Sequence, residues 1–167
     1  MQLALQQVFD IVGERLPFDY QLDLAATWDD ASGMDTCPFV QPVHVFGTVE
    51  NTAGIVTLTI QCQTTIRLSC DRCLAMFERP LDEVFEHILV QSVQSEDEDY
   101  IVLADACLDL DELVRADILL SFPSKVLCRD DCKGLCDQCG ANLNETQCDC
   151  KTVSVDPRLE ALGKFLT

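Results

Sequence analysis

At 167 residues, the chain has room for one ordinary domain or one domain with a small appendage. Hydrophobic residues make up 48%, which argues against a disordered chain, and no apolar run approaches the roughly 18–20 residues that a membrane span needs. A net charge of −18 repels bare phosphate and attracts basic partners.

The opening stretch, MQLALQQVFDIVGERLP, has no basic leader followed by an apolar block, and it carries Asp10 and Glu14. No secretory signal or Arg-rich transit peptide is expected, which points to a reducing cytoplasm. Next, Phe18, Tyr20, Leu22 and Leu24 recur at a period of two, as a strand requires, and Val43, Val45 and Val49 repeat the pattern. The clearest strand follows. Val56, Leu58, Ile60, Cys62, Ile66 and Leu68 alternate with Thr57, Thr59, Gln61, Gln63, Thr65 and Arg67, so one face is buried and the other is wet. This strand runs into CDRC, and another extended segment comes after it. A hairpin with Cys70 and Cys73 at or near its turn is the simplest drawing.

The acidic run Glu96, Asp97, Glu98 and Asp99 reads as a solvated loop. A helix is predicted after it, with Asp109 as N-cap, Glu112 three residues on and Pro123 barring continuation. A second, short helix is predicted at the end, with Asp156 as cap, Pro157 at the first helical position and Leu159, Leu162 and Leu166 on one stripe. The expected fold class is α+β, with an antiparallel β-rich body and a C-terminal cysteine-rich, zinc-ribbon-like module. The body takes residues 1–123, including the CxxC hairpin and the helix after it; the module takes residues 124–167 and is expected to pack on the body as one unit.

Eleven cysteines in a reducing compartment are better metal ligands or catalytic thiols than disulfides. Their spacings are C-x2-C at Cys70 and Cys73, C-x3-C at Cys128 and Cys132, C-x2-C at Cys136 and Cys139, and C-x-C at Cys148 and Cys150. Four pairs make eight ligands, enough for two four-thiolate Zn2+ sites, because paired cysteines reach two corners of a tetrahedron from one turn. Gly140, directly after Cys139, can take the positive φ that wraps the chain around an ion. Cys136, Cys139, Cys148 and Cys150 are near enough in sequence to close one site. Cys70 and Cys73 would then join Cys128 and Cys132, although an interleaved pairing or a single occupied site fits the spacings too. The cysteine-rich tail has few apolar residues and is expected to fold only with metal. Cys37, Cys62 and Cys107 stand alone and read as small hydrophobes.

Rival readings of the thiols are weaker. The run does not match the close C-x2-C-x2-C ferredoxin spacing, and CDRC and CDQC lack the βαβ context of a thioredoxin-like centre. Residues 66–80 and 124–152 hold seven of the eleven bases and seven of the 29 acids, so the cysteine-rich parts are neutral and the remainder carries the whole −18. Arg67, Arg72, Arg79, Lys125, Arg129, Lys133 and Lys151 either offset thiolate charge or form an RNA-binding patch; the first reading is the simpler. No enzyme is expected. His44 and His87 lie away from the cysteines, and the chain has no Walker loop, G-x-S-x-G elbow or Rossmann fingerprint.

CDRCL, then CRDDCKGLCDQCGANLN and CDC, then DPRLEAL near the end, together resemble the bacterial YceD family, named for large ribosomal RNA subunit accumulation. The resemblance covers nearly the whole chain, and the combined pattern is its specific part. It implies a cytoplasmic, non-catalytic protein that supports accumulation of 23S rRNA and biogenesis of the large ribosomal subunit. By position, Cys70, Cys73, Cys136 and Cys139 would carry the family's two CxxC elements, and Cys128, Cys132, Cys148 and Cys150 the additional cysteines of its cysteine-rich members. Asp137 departs from the Pro that such knuckles often have. The charge balance favours a basic ribosomal or assembly protein as direct partner, with rRNA bound weakly or indirectly. A thiol redox or metal-delivery protein, or a direct rRNA-binding factor, is the alternative.

Overall fold

The computed structural model of the protein describes residues 1–26, 37–92 and 100–150. In chain order the elements are β1 (Gln2–Ala4), α1 (Gln6–Asp10), β2 (Arg15–Leu22), β3 (Val43–Thr52), β4 (Ile55–Ser69), β5 (Met76–Val90), β6 (Tyr100–Val102), β7 (Cys107–Asp109) and α2 (Leu110–Ser121). Contacts divide the chain into two compact units. One holds Met1–Leu68 and Phe77–Ser124; the other holds Ser69–Met76 and everything from Lys125 onward. Ser69–Met76, the tip of the hairpin, therefore groups with the cysteine segment rather than with the strands that carry it. The predicted terminal helix, Lys151 and the acidic run at 96–99 lie outside the described residues.

The first unit is built on a five-stranded sheet of order β2-β3-β4-β5-β6. Its antiparallel pairs include Phe18 with Gly47 and Val49 with Leu58, while β6 joins β5 in parallel at Ile88, Leu89 and Val90. The alternation in β4 does what the sequence predicts: Val56, Leu58, Ile60, Cys62, Ile66 and Leu68 are all buried. Thr64 shares their face and is buried too, where its hydroxyl donates to the carbonyls of Gln41 and Pro42 at 3.3 and 3.4 Å. Burial without such partners would cost free energy. The β3–β4 turn uses Ala53 and Gly54, both at positive φ, which matches the twist of the strands it joins. Gly47 lets the ladder close, since a Cβ there would lie 2.0 Å from the Thr59 carbonyl oxygen and 2.9 Å from the Phe18 ring.

α2 is capped as expected. The Asp109 carboxylate accepts from the backbone N–H groups of Asp111 and Glu112 at 3.2 and 3.3 Å. Leu110, Val114 and Ile118 form its fully buried stripe, and Asp117 meets His87 of β5 at 2.8 Å. The N-terminal elements are the part that sequence reading missed. β1 pairs with β7 through Leu3 and Leu108, and the Met1 ammonium and the Tyr20 hydroxyl both reach the Asp111 carboxylate. Elements of three and five residues are too short to show a period. No helix among the described residues is long and apolar enough to cross a membrane.

Candidate metal centres

Each CxxC is held by the same backbone device. At the hairpin tip, the Cys70 N–H donates to the Ala75 carbonyl at 3.0 Å and the Leu74 N–H to the Cys70 carbonyl at 2.9 Å. Further along, the Cys136 N–H donates to the Ala141 carbonyl and the Gly140 N–H to the Cys136 carbonyl, both at 2.8 Å. The offsets are identical, so Leu74 and Gly140 occupy equivalent places. Both have positive φ, 58° for Leu74 and 71° for Gly140. The chain must turn left-handed there to present both thiols to one point. Gly140 is the residue suited to this by its missing Cβ, whereas Leu74 takes the same conformation at a steric cost.

The sulfurs gather in two sets of four. Those of Cys70, Cys73, Cys128 and Cys132 lie within 4.8 Å of one another, and so do those of Cys136, Cys139, Cys148 and Cys150. In the first set, Cys70 and Cys132 are 3.8 Å apart and Cys73 and Cys128 are 3.7 Å apart. A tetrahedron of sulfurs at about 2.3 Å from zinc has edges of about 3.8 Å, so the spacing is that of a coordination shell. A disulfide would bring two sulfurs to about 2.05 Å, and all eleven cysteines are free. These two tetrads could each bind a metal ion.

Long-range bonds within this unit fix the first tetrad. Asp71 clasps Val126 twice, its N–H donating to the Val126 carbonyl at 2.9 Å and its carboxylate accepting from the Val126 N–H at 2.6 Å. The Arg72 guanidinium donates to the Cys132 carbonyl at 2.8 Å, and the Leu135 N–H donates to the Arg72 carbonyl at 3.1 Å. Gly134 passes close by at positive φ, and a Cβ there would lie 3.1 Å from the Arg72 carbonyl oxygen. The Asn144 amide donates to the Cys132 sulfur at 3.4 Å. Sequence reading offers Arg72 as a countercharge or part of an RNA-binding patch, and gives Asp71, Leu74 and Asn144 no role at the site. Their contacts span up to 63 residues, which no local spacing reports.

Proton affinities within the tetrads diverge. Burial pushes Cys70 up, but backbone hydrogen bonds from Cys128, Cys73 and Arg72 outweigh it and bring the thiol down to about 6. Burial, then hydrogen bonds to Cys73 and Cys132, push Cys128 up to about 12. Backbone hydrogen bonds from Cys139 and Gln138 bring Cys136 down to about 6, while a shared hydrogen bond with Cys139, reinforced by burial, pushes Cys150 up to about 12. Four thiolates this close repel one another, so without a cation each set keeps some of its protons. A divalent ion removes that obstacle by taking the protons' place.

The basic residues are partly committed. Arg67 pairs with Glu78 at 2.6 Å, Arg129 with Asp131 at 3.4 Å, and Arg72 binds the Cys132 carbonyl. These three thus have local charge or carbonyl partners. Cys62 is buried on β4, as expected, Cys37 is half-buried, and Cys107 is exposed on β7 against expectation because it lies on the outward side of a short strand.

Comparison with known proteins places this arrangement. The family described as "Large ribosomal RNA subunit accumulation protein YceD" matches residues 58–166. The chain is similar to the Bacillus subtilis protein YlbN, with 27% identity over 130 residues that cover 76% of each protein. It is also similar to the Zea mays protein called "Large ribosomal RNA subunit accumulation protein YCED homolog 1, chloroplastic", with 38% identity over 76 residues, which are 45% of this chain and 26% of the maize protein. The corresponding Arabidopsis thaliana protein is 34% identical over 58 residues, 35% of this chain and 18% of that protein. No solved structure matches. The matched stretch holds β4 from Leu58 onward and all eight sulfurs of the two tetrads, and on that ground the chain belongs to the YceD family of large ribosomal RNA subunit accumulation proteins.

Proposed function

We propose that this protein is a non-catalytic, zinc-stabilised factor for accumulation of 23S rRNA and biogenesis of the large ribosomal subunit. It acts by holding a basic ribosomal or assembly protein, and the rRNA is protected as a consequence of correct assembly. The observation that carries this reading is a family match running through two closed sets of four cysteines. Zinc suits an all-sulfur tetrahedral donor set, and a site whose four corners are all protein thiolates leaves no position for a substrate. When bound, each zinc supplies a cation that neutralises part of the thiolate charge and pins the segments that carry it. A four-thiolate zinc site is formally −2, so two of them deepen a charge that is already −18. Direct affinity for RNA rests on cationic contacts to phosphate, which this balance opposes.

Purification without added zinc, followed by metal analysis, is the first test; about two equivalents of tightly held zinc per chain are expected. Iron in its place, or zinc surrendered to weak chelators, would favour a redox or metal-delivery protein. A pulldown at moderate salt is the second. Recovery of a basic large-subunit or assembly protein supports the reading, and recovery of rRNA fragments without any such protein overturns it.

A further inference from the structure

β5 is long, yet among the described residues only its last three have a strand neighbour on the side away from β4. β6 pairs with Ile88, Leu89 and Val90, and among the described residues no strand lies beside Phe77–His87 on that side. The direction of the free groups can be read from the end of the strand. The Val90 carbonyl accepts from the Leu103 N–H at 2.8 Å, so Val90 aims its backbone groups at the outer edge. In a strand this direction alternates, and Glu78, Pro80, Asp82, Val84 and Glu86 therefore aim theirs the same way. Pro80 has no N–H to donate, and at this edge it costs the ladder nothing.

The side chains of these residues are exposed and strictly alternate acidic with apolar: Glu78, Pro80, Asp82, Val84, Glu86, Ile88. Val84 is 56% and Ile88 39% exposed. Arg67 holds Glu78, but Asp82 accepts only from the neutral Gln63 amide at 3.3 Å, and Asp82 and Glu86 meet no basic group among the described residues.

We propose that the free edge of β5 is a docking site for an extended segment of another protein, which adds as a strand and sets basic residues against Asp82 and Glu86 and an apolar one against Val84. Main-chain hydrogen bonds supply affinity in such an addition, and the side chains on alternate positions supply selectivity. The charge selects the occupant. A second copy pairing in the register centred on Asp82 would set acid against acid, whereas a basic strand gains attraction at each of those positions. The inference rests on the proposed basic partner and adds where and in what conformation that partner is held.

The test uses the full-length, metal-loaded protein and a synthetic peptide in which lysine and valine take turns at every second position with threonine between them. A second peptide is N-methylated at its lysines and valines, which removes the pairing N–H groups and keeps the charge. Binding of the first peptide is expected to shift NMR signals along Phe77–Ile88 and slow amide exchange at Glu78, Asp82, Val84 and Glu86. Methylation, or the double change Asp82→Lys and Glu86→Lys, is expected to weaken binding by about tenfold or more.

Equal binding of both peptides, or no binding of either, overturns the proposal. So does concentration-dependent dimerisation that Val84→Pro abolishes, which would give the edge to a second copy. The parent reading fails separately: if the unmodified protein recovers no basic ribosomal or assembly protein, that reading falls whatever the peptides do. If the charge-reversed variant recovers the same partner as well as the unmodified protein, only the edge is overturned.

Discussion

The side-chain amide of Asn144 donates to the Cys132 sulfur at 3.4 Å while its oxygen accepts from the Lys133 N–H at 2.8 Å. Asn142 steadies it, accepting from the Asn144 amide at 2.9 Å and donating to Glu145 at 2.9 Å. Asn144 lies between Cys139 and Cys148, so the loop closed by the second tetrad supports a ligand of the first. Hydrogen bonds from such outer residues orient ligands and stabilise the thiolate; here the Asn144 amide works against burial to lower Cys132.

Asn144→Ala is therefore expected to weaken metal binding at the Cys70, Cys73, Cys128, Cys132 site by about 10–100-fold, with the other site unaffected. Competition against a chromogenic chelator measures both affinities. Two unchanged affinities would remove Asn144 from any role at the metal.

Metal removal should act on one unit. Among the described residues of the unit containing the tetrads, the buried side chains are those of Cys70, Cys73 and Cys132, with no large aliphatic residue among them, whereas the sheet unit encloses Leu58, Ile60, Val45 and Ile118. A chelator should collapse the NMR dispersion of Lys125–Cys150 and leave the far-UV strand signal and the thermal transition of the sheet largely intact. Loss of both in one transition would show that the sheet cannot stand without metal.

The equivalence of Leu74 and Gly140 gives an asymmetric pair of substitutions. Gly140→Leu places a side chain at positive φ and should cost about 1–2 kcal/mol, read as lower metal affinity or earlier unfolding of that unit. Leu74→Gly relieves the same strain, partly offset by extra freedom in the unfolded chain, and should be neutral or mildly stabilising. A large loss from Leu74→Gly would mean that this exposed leucine has a packing role that its 64% exposure does not suggest.

Cys62 should be inert where its neighbours are reactive. Burial, aided by the negative charges of Asp117 and Glu83, pushes its thiol from 9.0 up to about 12. The folded state thus holds this proton more tightly than the unfolded state. Its contribution to stability is complete below about pH 9 and is lost as pH rises towards 12. Alkylation of the metal-loaded protein at pH 8, followed by mass spectrometry, should label exposed Cys107 and spare Cys62. Early labelling of Cys62 would show that the sheet opens readily around β4.

The parts that were legible share a local cause. The alternation of β4 and the Asp109 cap depend on residues at most a few positions apart, and the structure reproduces them. The short elements β1, α1 and β7 carry no period and take their shape from each other, as the pairing of Leu3 with Leu108 shows. The cysteine spacings were legible as pairs, and they suggested the two sets that the structure forms without excluding others. The sulfurs of Cys70 and Cys132 meet across 62 residues of sequence, a distance over which spacing alone also admits interleaved pairings.

By itself, then, the sequence determined that eight thiols come in ligand-spaced pairs, that β4 has one wet face, and that the chain is strongly acidic; each follows from residue type and short-range geometry. Only the tertiary structure decided which pairs share a point, that Asn144 braces Cys132, and that the acids of β5 lie on a strand whose outer edge is largely unpaired among the described residues. Those depend on the path of the backbone between distant segments, and that path is set by the burial of a whole core at once rather than by any one stretch of it.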